Sequence, residues 1–346
     1  MKQILIILWA VLVLFSCTNK IDINLEIISN RSIDSTLTFR GIFAIDENRA
    51  FVSGSRGSVY KTENGGVNWD RIKISGAEDA DFRDIHILPA RSILLLSVGA
   101  GSDSKIYKST DDGENWNIVY SNPYAEGFLN SFAFWNEFNG IVVGDPVDGH
   151  PFIIITKDGG TTWQEIDKTK IPPALQGEAG FSASGTCVAV YGDSAAWIGM
   201  GGPEARIFKT TDMGISWTVH STPILSGENT TGIYSVFFDD EMDGFVLGGD
   251  YTNETGTEKT LAVTKNGGIN WSIIESDSIY FQSCMAKIND DNNEIFVSTG
   301  PAATYYSSNG KKWNKLSNIG FHCLSSGKNS NVIWAAGSNG RVAKIY

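Results

Sequence analysis

The feature that most limits how this 346-residue chain can fold is a short segment that recurs along it six times. The copies run over 60–69, 107–116, 154–163, 208–217, 262–271 and 305–313, each ending in tryptophan. Successive terminal tryptophans lie 47, 47, 54, 54 and 42 residues apart. Each copy has glycine three residues before its tryptophan: Gly66, Gly113, Gly160, Gly214, Gly268 and Gly310. Five residues before it stand Asn64, Asp111, Asp158, Asp212, Asn266 and, in a last copy one residue short, Ser308. A period of this length belongs to repeat architectures, whose units bury their apolar faces by packing on one another.

The pattern S/T-x-D-x-G-x-x-W resembles the Asp-box, also called the bacterial neuraminidase repeat. In that motif Asp or Asn accepts backbone N–H bonds within a hairpin turn, Gly adopts positive φ, and Trp packs beneath. Asn64, Asp111, Asp158, Asp212 and Asn266 with Trp69, Trp116, Trp163, Trp217, Trp271 and Trp313 are therefore expected to staple the outer hairpin of each blade. They are not expected to form an active site.

Around the second copy a four-stranded unit is legible: Arg83–Leu88, Ser92–Val98, Lys105–Ser109 and Trp116–Val119, separated by Gly, Pro, Asp and Asn. Similar inner strands start near Phe39, Phe82, Phe128, Phe181, Gly232, Phe281 and Phe321, which makes seven for six repeat turns. The seventh unit has Phe321–Ser325, Val332–Ala336 and Arg341–Tyr346 and then lacks a strand, which Ile23–Ile28 can supply. The expected fold is all-β: one seven-bladed β-propeller over residues 23–346, closed by an N-terminal strand in the last blade. Composition agrees, since 37 Gly against 9 Pro, with 18 Phe, 11 Tyr and 10 Trp, suits turns and pleated surfaces.

The N-terminus reads as an address. Lys2 precedes an apolar run from Ile4 to Phe15, too short to span a bilayer and shaped like a secretory signal. It ends at Leu14-Phe15-Ser16-Cys17, which resembles a bacterial lipobox. Residues 1–16 are expected to be a lipoprotein signal peptide, Cys17 the lipidation site that holds the chain to the membrane, and 17–22 a lipid-anchored linker. An ordinary signal peptide cut nearby is the plainer alternative. Thr18 is not the Asp that commonly retains lipoproteins at the inner membrane, so the expected location is exported and lipid-anchored to the envelope, at the outer membrane.

A formal charge of −12 disfavours nucleic-acid binding, because the chain lacks a basic field for a phosphate backbone. Cys187, Cys284 and Cys323 are an odd set with no CxxC, and read as small buried hydrophobes. The alternative is a Cys284–Cys323 pair, since both follow equivalent phenylalanines. The four histidines have no zinc-ligand spacing, and neither a metal nor a cofactor is expected.

In propellers the loops that lead into the inner strands share one face, here called the top, with those joining second and third strands. Ligand or partner contacts are expected there from Arg40, Arg83, Asp84, Asp145, Glu178, Asp250, Tyr251, Gln282 and His322. Arg40 and Arg83 occupy equivalent positions, and either clamp a carboxylate or salt-bridge Asp84, Asp145 or Asp250. Asp145 before Pro146 suits a turn, His322 suits a channel histidine as well as a base, and Glu178 stands out as an isolated carboxylate.

Phe39-Arg40-Gly41-Ile42, Phe82-Arg83-Asp84-Ile85, Phe134-Trp135, Gly144-Asp145-Pro146-Val147-Asp148-Gly149, Gly180-Phe181-Ser182-Ala183-Ser184-Gly185-Thr186-Cys187 and Gly248-Gly249-Asp250-Tyr251 resemble the bacterial branch of the photosystem II stability and assembly factor family. The resemblance spans nearly the whole chain after the signal and implies a role in holding or assembling an envelope protein or peptide. Members of that branch are often labelled oxidoreductases. Gly199-Met200-Gly201-Gly202 opens no helix of a βαβ unit and no haem or iron–sulfur cysteine spacing exists, so a redox role is disfavoured. The alternative function is that of a sialidase-like glycan binder or glycoside hydrolase. Sialidases use three arginines on the substrate carboxylate and a Tyr–Glu couple; Arg40 and Arg83 supply two, and no FRIP motif is present. A non-catalytic binding propeller is the leading expectation, with a glycan as the other candidate ligand.

Overall fold

A computed structural model describes residues 25–346 apart from 277, 291–292 and 328–329. The signal segment, Cys17 and the linker lie outside the described residues. Seven antiparallel four-stranded sheets form the ring, numbered here as blades 1 to 7 in chain order of their inner strands. Those inner strands are Phe39–Ala44, Asp81–Leu88, Leu129–Phe134, Val188–Tyr191, Thr231–Phe238, Cys284–Asp290 and Cys323–Ser326. The fold is the seven-bladed propeller that the repeat arithmetic predicts.

The last blade is closed by Ile27–Ser32, which pairs antiparallel with the C-terminal strand Arg341–Ile345. The closing strand thus lies a few residues downstream of the expected Ile23–Ile28. Its partner fixes the register, with Ile27 opposite Ile345 and Ser32 opposite Arg341. Within blade 2 the strands Ser92–Val98 and Lys105–Ser109 sit where alternation and turn residues placed them.

The core consists of the apolar layers between blades. Trp197 of blade 4 stacks on Phe238 of blade 5 with centroids 3.6 Å apart, and its indole N–H donates to Gly267 O at 2.9 Å. Trp334 of blade 7 likewise donates to Asp46 O of blade 1 at 2.9 Å. Flat aromatic surfaces fill the wedge between sheets, and these two buried indole N–H groups each have a fixed acceptor in the next blade. Cys187, Cys284 and Cys323 are buried free thiols in these layers, so no Cys284–Cys323 disulfide is present.

The recurring turns show why their residue types are needed. In the fourth copy Thr210 Oγ1 donates to Asp212 Oδ1 at 2.7 Å and accepts from Gly214 N at 3.0 Å. Asp212 Oδ1 also accepts from Ser216 N at 2.9 Å, and the Trp217 indole donates to Gly214 O at 3.1 Å. Gly214 needs φ of +84°, a region that costs a side-chain-bearing residue strain. The same donors hold the second copy's carboxylate in its charged form: bonds from Asn115, with help from Ser109, bring Asp111 down to about 2. Trp69 departs from the set, for its buried indole nitrogen has no partner and its ring instead meets Trp334 edge to face.

Ser308 does not take the acceptor role in the short sixth copy. Asn309 does, its Oδ1 accepting from Lys311 N and Lys312 N, both at 2.9 Å. The missing residue lies between acceptor and glycine, which moves the acceptor one place closer to Trp313. Asn309→Ala is therefore expected to lower stability by about 1 kcal/mol, whereas Ser308→Ala stays within about 0.5 kcal/mol. Urea unfolding midpoints at a shared slope check the difference.

Candidate functional site

The site is built by a defect repeated in the ladders. Four inner strands carry a register shift at their top ends: between Phe39 and Gly41, Phe82 and Asp84, Leu129 and Ser131, and Ile233 and Ser235. The extra residues are Arg40, Arg83, Asn130 and Tyr234. A bulge bends its strand and re-aims one side chain out of the alternating pattern. All four side chains line one top-face cavity of about 470 Å³.

The floor of that cavity is a segment of blade 4. Its inner strand was expected to start near Phe181 but starts at Val188, because residues 180–187 cross the channel instead. Arg40 Nη1 donates to Ala183 O at 3.3 Å and Arg83 Nη1 to Ser182 Oγ at 3.2 Å. Ser131 Oγ donates to Gly185 O at 2.7 Å, and Ser184 Oγ donates to Ser283 O at 2.6 Å. Blades 1, 2, 3 and 6 thus all hold the segment from around the ring, and Thr186 reaches Ser235 of blade 5. The channel is plugged, and the segment's carbonyls at Ser182, Ala183, Gly185 and Thr186 each have a donor.

Of the nine residues expected to meet a ligand, Arg40, Arg83, Asp145, Tyr251 and His322 line this cavity. The arginines do not pair with Asp84, Asp145 or Asp250. Arg83 Nε donates to Asp81 Oδ2 at 2.8 Å, and Arg40 makes no salt bridge among the described residues. Burial, and then the Arg83 charge, pull the Arg40 guanidinium below its ordinary value, yet arginine stays protonated at any working pH. Asp145 Oδ1 accepts from Asn130 Nδ2 at 2.8 Å and Gly180 N at 3.0 Å, while burial raises its carboxyl. His322 bonds Ser338 Oγ at 2.8 Å; burial and the nearby Arg40 and Arg83 charges push it down to about 3, so it is neutral.

The other four have different surroundings. Glu178 is no isolated carboxylate: its side chain is buried, accepts from Arg206 Nε at 2.8 Å and also pairs with Arg206 Nη2. Asp250 caps its own loop, accepting from Thr252 N at 2.9 Å. Gln282 is buried and turns back to donate to Phe281 O at 2.9 Å, since blade 6 has no bulge at this height to swing it inward. Asp84 lies beneath the plug, accepting from Ile85 N at 2.8 Å and Phe132 N at 2.9 Å.

Ser131 has one hydroxyl proton and two acceptors, Gly185 O and Asp84 Oδ2 at 3.0 Å. A protonated Asp84 resolves this by donating to Ser131, which donates to Gly185. Burial pushes Asp84 up to about 8, in accord with that arrangement. Gly185 is required here: its φ is +71°, and a Cβ would lie 2.6 Å from Asp84 Oδ1. The cavity residues outside the nine include the aromatic Phe128, Phe181, Tyr234 and Phe281, with Glu254 at the rim. Phe181 stacks on Tyr234 at 4.0 Å, and Phe281 meets Tyr234 edge-on at 4.7 Å.

A larger cavity of about 960 Å³ opens at the opposite end between blades 1 and 2. Of its three cations, Arg49 and Lys61 are paired with Asp46 and Asp112, while Arg91 has no salt bridge among the described residues. Trp135 also lies away from the top cavity and donates its indole N–H to Ala195 O at 2.7 Å.

No family model matches the sequence, and no curated protein matches it. Solved structures do match in fold. A structure of YCF48 bound to D1 peptide superposes with TM-score 0.59 at 15% identity, over 94% of this chain and 96% of that one. YCF48 from Cyanidioschyzon merolae gives 0.63 at 17%, over 93% and 98%. An ancestral GH74 enzyme gives 0.60 at 12%, over 87% of this chain but 44% of the enzyme.

Protonated Asp84 makes a definite pH signature. Its raised value means that folding retains a proton the unfolded chain loses above its usual value of 3.8, so stability falls as pH rises until the folded carboxyl ionises near about 8. His322 acts on the acid side: the unfolded chain takes up a proton below 6.5 that the folded chain refuses until about 3, so stability falls as pH falls. Between 3.8 and 6.5 the two contributions oppose one another, so the Asp84 slope of about 1.4 kcal/mol per pH unit stands alone from 6.5 to about 8, where Asp84→Asn is expected to remove it despite costing stability at the Phe132 N–H. Urea titrations across this pH range check both limbs.

Proposed function

We propose that this protein is a non-catalytic binding propeller, exported and lipid-anchored at Cys17, that presents its top cavity to an envelope protein or peptide and helps to hold or assemble it. The observation that carries the reading is Arg40. It is a half-buried guanidinium at the floor of a preformed cavity, beside a second arginine, with one long hydrogen bond and no carboxylate partner among the described residues. A charge kept in that condition is costly unless something completes it. A carboxylate does so, bridging two planar donors by charge-assisted bonds.

The aromatic surround favours a peptide over a purely polar ligand, since side chains of a partner gain burial against Phe128, Phe281 and Tyr251. YCF48, whose fold this chain shares, binds a peptide in one of the matched structures, which supports the same reading. A sialidase mechanism finds less support. Arg206, which could have been a third arginine, is engaged by Glu178, and the Tyr234 hydroxyl donates to Thr230 O at 2.8 Å, with no Glu in the place of an activating partner.

The test uses the chain without residues 1–22, exposed to membrane extract and to a panel of sialosides. Arg40→Ala/Arg83→Ala is expected to keep the wild-type melting temperature. It should weaken binding of a synthetic peptide from any captured protein by at least about tenfold. Loss of folded yield in both single mutants assigns the arginines to structure, and turnover of a sialoside makes the protein an enzyme.

A further inference from the structure

The cavity is divided by charge, and the division follows the blades. Blades 1 and 2 contribute Arg40 and Arg83, and blade 7 adds neutral His322. Facing them, blades 3 to 6 contribute Asp145, Phe181, Tyr234, Tyr251, Glu254 and Phe281. That half holds no cation. Both hydrogen bonds recorded for Asp145 end on Oδ1, which leaves Oδ2 without a donor among the described residues. Glu254 is exposed at the rim and has no salt bridge among the described residues.

The rings on this side are incompletely covered. Phe181, Tyr234 and Phe281 pack on one another, but Tyr251 is 51% exposed and meets Tyr234 only edge-on at 6.4 Å. Rings and carboxylates gathered without a cation form the surroundings that attract an ammonium or guanidinium group: the ring faces and the carboxylates act in the same direction. A wholly apolar side chain would use the rings and leave Asp145 Oδ2 and Glu254 with nothing.

We propose that the ligand is zwitterionic: a peptide that places a carboxylate between Arg40 and Arg83 and a nearby lysine or arginine side chain against Tyr251, Asp145 and Glu254. This rests on the peptide-binding reading above and adds to it the second group that the partner must carry. Its recognition is selective, because a peptide with the carboxylate alone leaves the acidic half unpaired and one with the basic residue alone leaves the arginines so.

The experiment measures fluorescence polarisation with labelled short peptides in a Gly/Ser/Ala background. Each has a free C-terminal carboxylate and one lysine, stepped back through successive positions, and is matched by a norleucine peptide. At the best position lysine is expected to bind about tenfold tighter than norleucine. Glu254→Gln, at an exposed position, should shrink that preference while leaving the norleucine peptide unaffected, and Tyr251→Ala should weaken both peptides, the lysine one more. Equal binding of lysine and norleucine peptides, with binding still abolished in Arg40→Ala/Arg83→Ala, overturns the zwitterion and leaves the peptide reading standing. No binding of any peptide at millimolar concentration overturns both, as does binding of phosphatidylethanolamine vesicles in their place.

Discussion

A single blade cannot bury either of its faces, so everything in this protein depends on closing the ring. The closing contact is the pairing of Ile27–Ser32 with the C-terminal strand, which completes blade 7 and sets it against blade 1. Lys344 sits in that seam only 5% exposed, its ammonium 4.6 Å from the Trp334 ring and close against Gly65 of the first repeat turn. Trp334 in turn reaches Asp46 and meets Trp69 edge to face. A lysine stem over an indole gains both burial and a cation–π contact. The top cavity takes Arg40 from one side of this seam and His322 from the other, so its shape is a property of the closed ring rather than of any blade.

How far the sequence could be read follows from which features are periodic. Repeat turns, strand number and the need for an N-terminal strand are periodic facts, and they carried the fold. The five nominated residues that line the cavity follow from the top-face rule, which holds for every blade alike. What could not be read is local pairing. Arg40, Arg83, Asn130 and Tyr234 reach the cavity through bulges, and a bulge is a shift between two strands that neither strand displays alone. Its one trace is an apolar residue, a variable residue and then Gly, Asp or Ser, as in Phe39-Arg40-Gly41 and Ile233-Tyr234-Ser235. Phe281-Gln282-Ser283 has the same trace without the bulge, which is why Gln282 misled.

Glu178 misled for a related reason. Its partner Arg206 is 28 residues away, on the third strand of the same blade, and only the folded sheet brings the two together. The plug was hidden as well. Residues 180–187 carry a phenylalanine where other blades begin their inner strands, but their hydrogen bonds go to blades around the ring, a pattern that no local propensity encodes.

The plug also decides how a partner can engage. An open propeller channel admits a ligand along its axis, whereas this one ends on residues 180–187 and offers a blind cup. The arginines that line the cup also hold its floor, through Ala183 and Ser182, so a carboxylate arriving at Arg40 and Arg83 competes with backbone oxygens at 3.3 and 3.4 Å. Those bonds are long, and a charged acceptor outmatches a neutral one. The exchange therefore leaves the floor in place, held by Ser131, Ser184 and Thr186, and needs no opening of the channel. A cup of about 470 Å³ accommodates a chain end or a few side chains better than an extended strand laid across the face. Specificity then resides in a few central residues, while the acidic exterior of a chain with net charge −12 repels anions that do not reach the two arginines.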